Sequence, residues 1–95
     1  MATRTNGAEV AIVGGGIMGS SLAWHLARRG ARVTLLERAT VAFGGSGRTG
    51  ALLRRHYSNE PEAKLAQKGW ETFANWPEIV GGAPVHTPSG LVVTV

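Results

Sequence analysis

Val10-Ala11-Ile12-Val13-Gly14-Gly15-Gly16-Ile17-Met18-Gly19 passes directly from a continuous apolar run into a glycine cluster. A short unbroken run of apolar and β-branched residues is the pattern of a strand buried on both faces. Beyond the glycines, Met18, Leu22, Ala23 and Leu26 recur at helical spacing from Ile17 to Arg29, and Gly30 supplies the left-handed stop expected just past a helix. Val33 to Glu37 is again short and apolar. Two strands joined through a helix of this length run parallel with a right-handed crossover, so residues up to Glu37 read as one βαβ unit.

The spacing Gly14-x-Gly16-x-x-Gly19 is a weak signal alone in a chain with 14 glycines. Its context makes it strong, because it follows a strand, opens a helix and is answered by Glu37 at the end of the second strand. Gly14 permits the tight turn, Gly16 leaves room for a pyrophosphate to approach the backbone, and Gly19 lets helix and strand pack closely. The helix N-terminus then offers unpaired N–H groups and a partial positive charge of about half an elementary charge to the phosphates. Gly15, Ile17 and Met18 lie in the same turn and are expected to line it. Glu37 can accept the ribose hydroxyls of an adenosine, and its charge would repel a 2′-phosphate, which disfavours NADP.

An ADP half is common to NAD and FAD, and the loop from Arg38 to Gly50 separates them. It carries Gly44, Gly45, Gly47 and Gly50, where backbone can approach an extended ligand, with Ser46, Arg48 and Thr49 as donors. A loop of this length suggests function, and an NAD domain usually enters a further helix at once. The alternatives are an NAD-dependent dehydrogenase segment and an inactive nucleotide-binding module.

Composition bounds the remainder. The chain has 95 residues, 43% of them hydrophobic, which places it among globular segments and allows at most one small domain. With no cysteine it has neither disulfides nor a cysteine-ligated metal, and no metal site is expected. The net charge of +4 is modest. Arg28, Arg29 and Arg32 sit near a helix end where cations are favoured, and Arg48, Arg54, Arg55 and His56 lie in a loop without any nucleic-acid motif. Nucleic acid is therefore not an expected partner. No stretch approaches the roughly 18 apolar residues of a membrane span, and MATRTNGAE has no apolar segment of the kind a secretory signal needs, so a cytoplasmic location is expected.

Asn59 with Glu62 forms a capping box, and Pro61 suits a first turn, so a helix is expected from there to about Trp76, ended by Pro77. Leu65, Gly69, Phe73 and Trp76, flanked by Ala66 and Trp70, would form its packing face. Gly81, Gly82 and Pro84 make a turn, and Leu91 to Val95 reads as a strand reaching the last residue. That arrangement suggests an amino-terminal piece of a larger protein: a polar tail over 1–8, a binding unit over 9–58, and a helix and strand over 59–95 leading into a substrate domain. The 95 residues alone are expected to be inactive.

The stretch Val10 to Gly19, the pair Glu37-Arg38, and Gly44-Gly45-Ser46-Gly47-Arg48-Thr49-Gly50-Ala51-Leu52-Leu53-Arg54-Arg55-His56-Tyr57 resemble the start of the FAD-dependent amine and amino-acid oxidoreductases of the D-amino-acid oxidase superfamily. Within it, the branch of dimethylglycine dehydrogenase and the sarcosine oxidase β-subunit is the nearest in pattern. Pro88-Ser89-Gly90-Leu91 also resembles the turn and strand that open the family's substrate domain. The resemblance implies an α/β fold with a partial Rossmann-like FAD-binding unit. It implies FAD held by Gly14 to Gly19, Glu37, Arg38, Gly45, Ser46, Arg48, Thr49, Gly50 and Leu52. It further implies a small amine or amino-acid substrate met by Arg54, whose planar guanidinium suits a carboxylate, and by Tyr57. Some relatives carry a flavin-linking histidine in this loop. Here Arg48 and Thr49 occupy that stretch, so covalent attachment through it is not implied. No catalytic base is identified, and His25 and His86 are read as packing or surface residues.

Overall fold

Glu9–Val13 and Arg32–Leu36 form strands β1 and β2 in the computed structural model of the chain, which describes residues 7–94. They pair in parallel, with Val10 opposite Val33 and Ile12 opposite Leu35. Helix α1, Ile17–Arg28, connects them and packs against both strands. A parallel pair cannot be closed by a tight turn, so the intervening helix is what the strand direction demands. The fold is α/β, a partial Rossmann-like unit.

Burial alternates along both strands rather than running continuously. Val10, Ile12, Val33 and Leu35 turn toward α1, and Ile12 is 7% exposed, whereas Val13 on the opposite face is 85% exposed. The expectation of a first strand buried on both faces is corrected. One helix covers one face of a sheet, and among the described residues up to Gly50 no second layer covers the other.

The end of α1 is built as its sequence indicates. The Gly30 N–H donates to the Ala27 carbonyl, Gly30 adopts φ +93°, and the Arg29 Nη1 donates to the His25 carbonyl. The Arg29 cation thus meets a carbonyl left without a helical donor. Arg28 lies over the Trp24 ring, and Arg32 is paired with Glu9 on the neighbouring strand.

The chain divides after Gly50 into two compact units. Residues 51–58, expected to belong with the glycine loop, cluster with the following helix. That helix, α2, spans Glu60–Ala74, with Asn59 as its N-cap and Pro61 in its first turn. The Asn59 Oδ1 accepts the Glu62 N–H at 2.9 Å, and the Glu62 carboxylate accepts the Asn59 Nδ2 at 2.8 Å. The capping box is therefore closed side chain to side chain.

Three expectations need correction in this unit. The helix ends at Ala74, because Asn75 leaves helical geometry at φ −115° and ψ 30° and turns its Nδ2 onto the Glu71 carbonyl at 2.9 Å. Pro77 does not stop it, and sits instead in the first turn of a short helix α3, Trp76–Ile79. The sheltered face of α2 runs through Ala63, Ala66, Trp70 and Phe73, while Leu65 is 75% exposed and Gly69 is exposed. Phe73 and Trp76 stack with centroids 5.7 Å apart. Finally, Leu91 to Thr94 form no strand, since no neighbouring strand pairs with them among the described residues. Residues 1–6 of the polar tail, and Val95, lie outside the described residues.

Candidate dinucleotide site

The turn after β1 is set by backbone geometry that only glycine supports easily. Gly14 adopts φ +106° and donates its N–H to the Leu36 carbonyl at 2.8 Å, tying the turn to the end of β2. A Cβ on Gly19 would lie 1.8 Å from the Gly14 carbonyl oxygen, so α1 approaches the strand end closely enough to exclude any side chain there. This is the close helix–strand contact expected of the third glycine. At Gly16 a Cβ would meet only the Ser46 side chain, at 3.0 Å.

Glu37 stands at the end of β2 and bridges two turns. Its Oε1 accepts the Gly15 N–H at 3.1 Å and its Oε2 accepts the Ala39 N–H at 2.7 Å. The Ala39 donor first and the Gly15 donor second hold its carboxyl below the ordinary value of 4.5 against an opposing effect of burial, with the Arg38 charge the smallest influence. Each carboxylate oxygen has a second lone pair for an outside donor.

The loop after β2 folds back onto the glycine turn. The Ala42 N–H donates to the Gly15 carbonyl at 2.9 Å, and the Ile17 N–H donates to the Ser46 hydroxyl at 2.8 Å. Gly45–Arg48 forms a single 3₁₀ turn, with Thr49 closing it. Gly47 allows it to sit against the Ala42 carbonyl, since a Cβ there would lie 2.1 Å from that oxygen. Ser46 thus serves α1 as a cap supplied from outside the helix, whose own N-cap, Gly16, has no side chain to offer. The Met18 and Gly19 N–H groups have no acceptor among the described residues, leaving donors at the helix N-terminus for an anion.

Gly14 to Gly19, Glu37 and Ser46 are brought together, with Gly45 and Arg48 on the same 3₁₀ turn and Arg38 beside Glu37. Gly50 ends the first unit, and Leu52, 74% exposed, belongs to the second. There the Arg54 guanidinium lies 4.9 Å from the centre of the Tyr57 ring, and no carboxylate pairs with it among the described residues. Sequence reasoning missed Ala42, at φ +64°, and Ala39, because backbone groups supply their contacts and side-chain identity carries no signal of them. It also missed Ser20, whose Oγ reaches the Gly15 carbonyl at 3.4 Å. No group of three metal-binding side chains occurs among the described residues, and no helix there is long and apolar enough to cross a membrane.

Residues 9–95 match the FAD dependent oxidoreductase family. The chain belongs to this family. Its cofactor is therefore FAD, and the bare backbone at Gly16, the open helix donors and the Glu37 carboxylate fit the ADP portion of that group. The chain is 41% identical over 64 residues to gamma-glutamylputrescine oxidoreductase of Escherichia coli, covering 67% of this chain and 15% of that protein. It is 40% identical over 45 residues to glycine oxidase of Geobacillus kaustophilus, covering 47% and 12%. It is 44% identical over 54 residues to a component of the anaerobic glycerol-3-phosphate dehydrogenase of Escherichia coli, covering 56% and 10%. The chain thus spans 10% to 15% of the length of these relatives. No solved structure matches it.

Proposed function

We propose that the protein carrying this chain oxidises the C–N bond of a carboxylate-bearing amine, of the N-methylglycine type that includes sarcosine and dimethylglycine. The observation that carries this reading is Arg54, a guanidinium laid over an aromatic ring and without an acidic partner among the described residues. Two relatives named for glycine and for gamma-glutamylputrescine support the nitrogen-bearing class.

In this reading the glycine turn and α1 hold the pyrophosphate, Glu37 accepts the ribose hydroxyls, and Ser46 and Arg48 face the remainder of the cofactor. Gly45, Thr49 and Gly50 extend the contacts of this turn, and Leu52 is a further cofactor contact that the family resemblance implies. FAD, when bound, supplies the two-electron acceptor for the substrate carbon next to nitrogen. Arg54 orients the substrate by two parallel hydrogen bonds to its carboxylate, with Tyr57 fixing the plane of the guanidinium. A cytoplasmic site of action goes with this reading, and cell fractionation tests it.

A second reading follows from the glycerol-3-phosphate dehydrogenase relative, in which Arg54 would meet a phosphate and the oxidised bond would be C–O. Anaerobic mixing of the flavin-loaded protein with N-methylglycine, N,N-dimethylglycine, glycine or glycerol 3-phosphate separates them by which compound bleaches the flavin absorbance. Arg54→Ala should raise KM for N-methylglycine far more than for dimethylamine, and Arg54→Lys should restore part of the loss. Equal losses on both amines would overturn the carboxylate role.

A further inference from the structure

The segment 52–58 forms no helix or strand, and no backbone–backbone hydrogen bond begins or ends in it among the described residues. What lies along α2 is therefore placed by side chains. Leu52, Leu53, Arg54 and Tyr57 face Ala66, Gly69, Trp70 and Phe73 across an open cleft of about 150 Å³. The polar attachment comes from Arg55. Its guanidinium lies 4.1 Å from the centre of the Trp70 ring, and its Nη1 donates to the Gln67 Oε1 at 3.4 Å.

Gln67 is itself oriented for this. Its Nε2 donates to the Glu71 Oε1 at 3.3 Å, one turn along the same helix, which leaves its carbonyl oxygen facing the arginine. Arg55 thus ends a chain running from a carboxylate through an amide to a guanidinium, and its flat face rests on an indole. Arg54, its neighbour, lies on a different ring and has no such chain.

We propose that Arg55 is the anchor of the 52–58 segment and a positioning residue for Arg54 and Tyr57. This rests on the reading of Arg54 as the carboxylate-binding group. The division of labour follows from the chemistry: one guanidinium is spent on α2, so that the adjacent one can be held at a fixed place with its donors open. Lysine cannot take over the first role fully, because an ammonium lacks the planar face that covers the indole.

Backbone 15N relaxation on the flavin-loaded protein tests it in wild type, Arg55→Met, Arg55→Lys and Arg54→Ala. Methionine keeps the apolar stem and so preserves packing if alanine would not fold. Loss of the cation–π contact and the hydrogen bond should lower the order parameters of 52–58 from about 0.85, the rigid range, to below about 0.6. Those of α2 should stay as in wild type, lysine should fall between, and Arg54→Ala should leave 52–58 unchanged. Arg55→Met should also raise KM for N-methylglycine without a matching fall in kcat. Wild-type order parameters in Arg55→Met, or equal loosening of 52–58 and α2, would overturn the proposal. If Arg54→Ala leaves KM for N-methylglycine unchanged, the carboxylate reading fails instead, and the relaxation result still decides the anchoring role.

Discussion

The carboxylate of Glu37 accepts the Gly15 N–H at 3.1 Å, so the residue that closes β2 is tied to the turn that follows β1. This bond and its companion from Ala39 lower the carboxyl below 4.5, which sets the sign of its acid dependence. A carboxyl depressed in the folded state stabilises fully above its unfolded value and loses that contribution as pH falls through the folded one. The Gly15 and Ala39 amide resonances should therefore titrate together with a midpoint below 4.5. A midpoint at or above that value would mean the bridge does not form in solution.

Glu37→Gln keeps the size of the side chain and removes its charge. Binding of FAD to the apoprotein should weaken by about 13- to 160-fold, the range for a hydrogen bond to a charged acceptor. Fluorescence titration reads this directly, and unchanged affinity would remove Glu37 from the cofactor site.

Two glycines of the same turn should fail in different ways. Gly19→Ala places a carbon against the Gly14 carbonyl, a backbone atom that cannot swing aside, and should destabilise by about 1–3 kcal/mol or more. Gly16→Ala meets only the Ser46 side chain, which can rotate, so the variant should fold yet purify with little flavin. Thermal unfolding and flavin content measured side by side check both, and a fully flavin-loaded Gly16→Ala would show that the pyrophosphate does not pass there.

Ser46→Ala removes the acceptor from the Ile17 N–H and should cost about 0.5–2 kcal/mol, as loss of a helix cap does. Urea unfolding measures it. A variant as stable as wild type would mean that water replaces the hydroxyl without penalty.

The strand, glycine turn, helix and second strand were legible because each has its own local signal, and Asn59 with Glu62 likewise announced the start of α2. The end of α2 was not, since Pro77 is the louder residue while Asn75 decides the matter by leaving helical geometry with its Nδ2 on the Glu71 carbonyl. Leu91 to Thr94 have strand composition, but pairing is a property of two segments and one cannot declare it. At the site, the residue types around the dinucleotide could be read from spacing. The bridge from Ser46 to Ile17 could not, because no periodicity links positions 29 apart.

That separation also orders events in time. During synthesis at about 5–20 residues per second, roughly 1.5 to 6 seconds pass between the addition of Ile17 and of Ser46. Over that interval α1 can form with its first amide open to water. The bond from Ser46 cannot close before that residue is added, and it is expected to be a late closure onto a βαβ unit already formed. Ser46→Ala should accordingly quicken unfolding while leaving the folding rate nearly unchanged, and stopped-flow measurements of the two arms would expose the opposite order if Ser46 docks early.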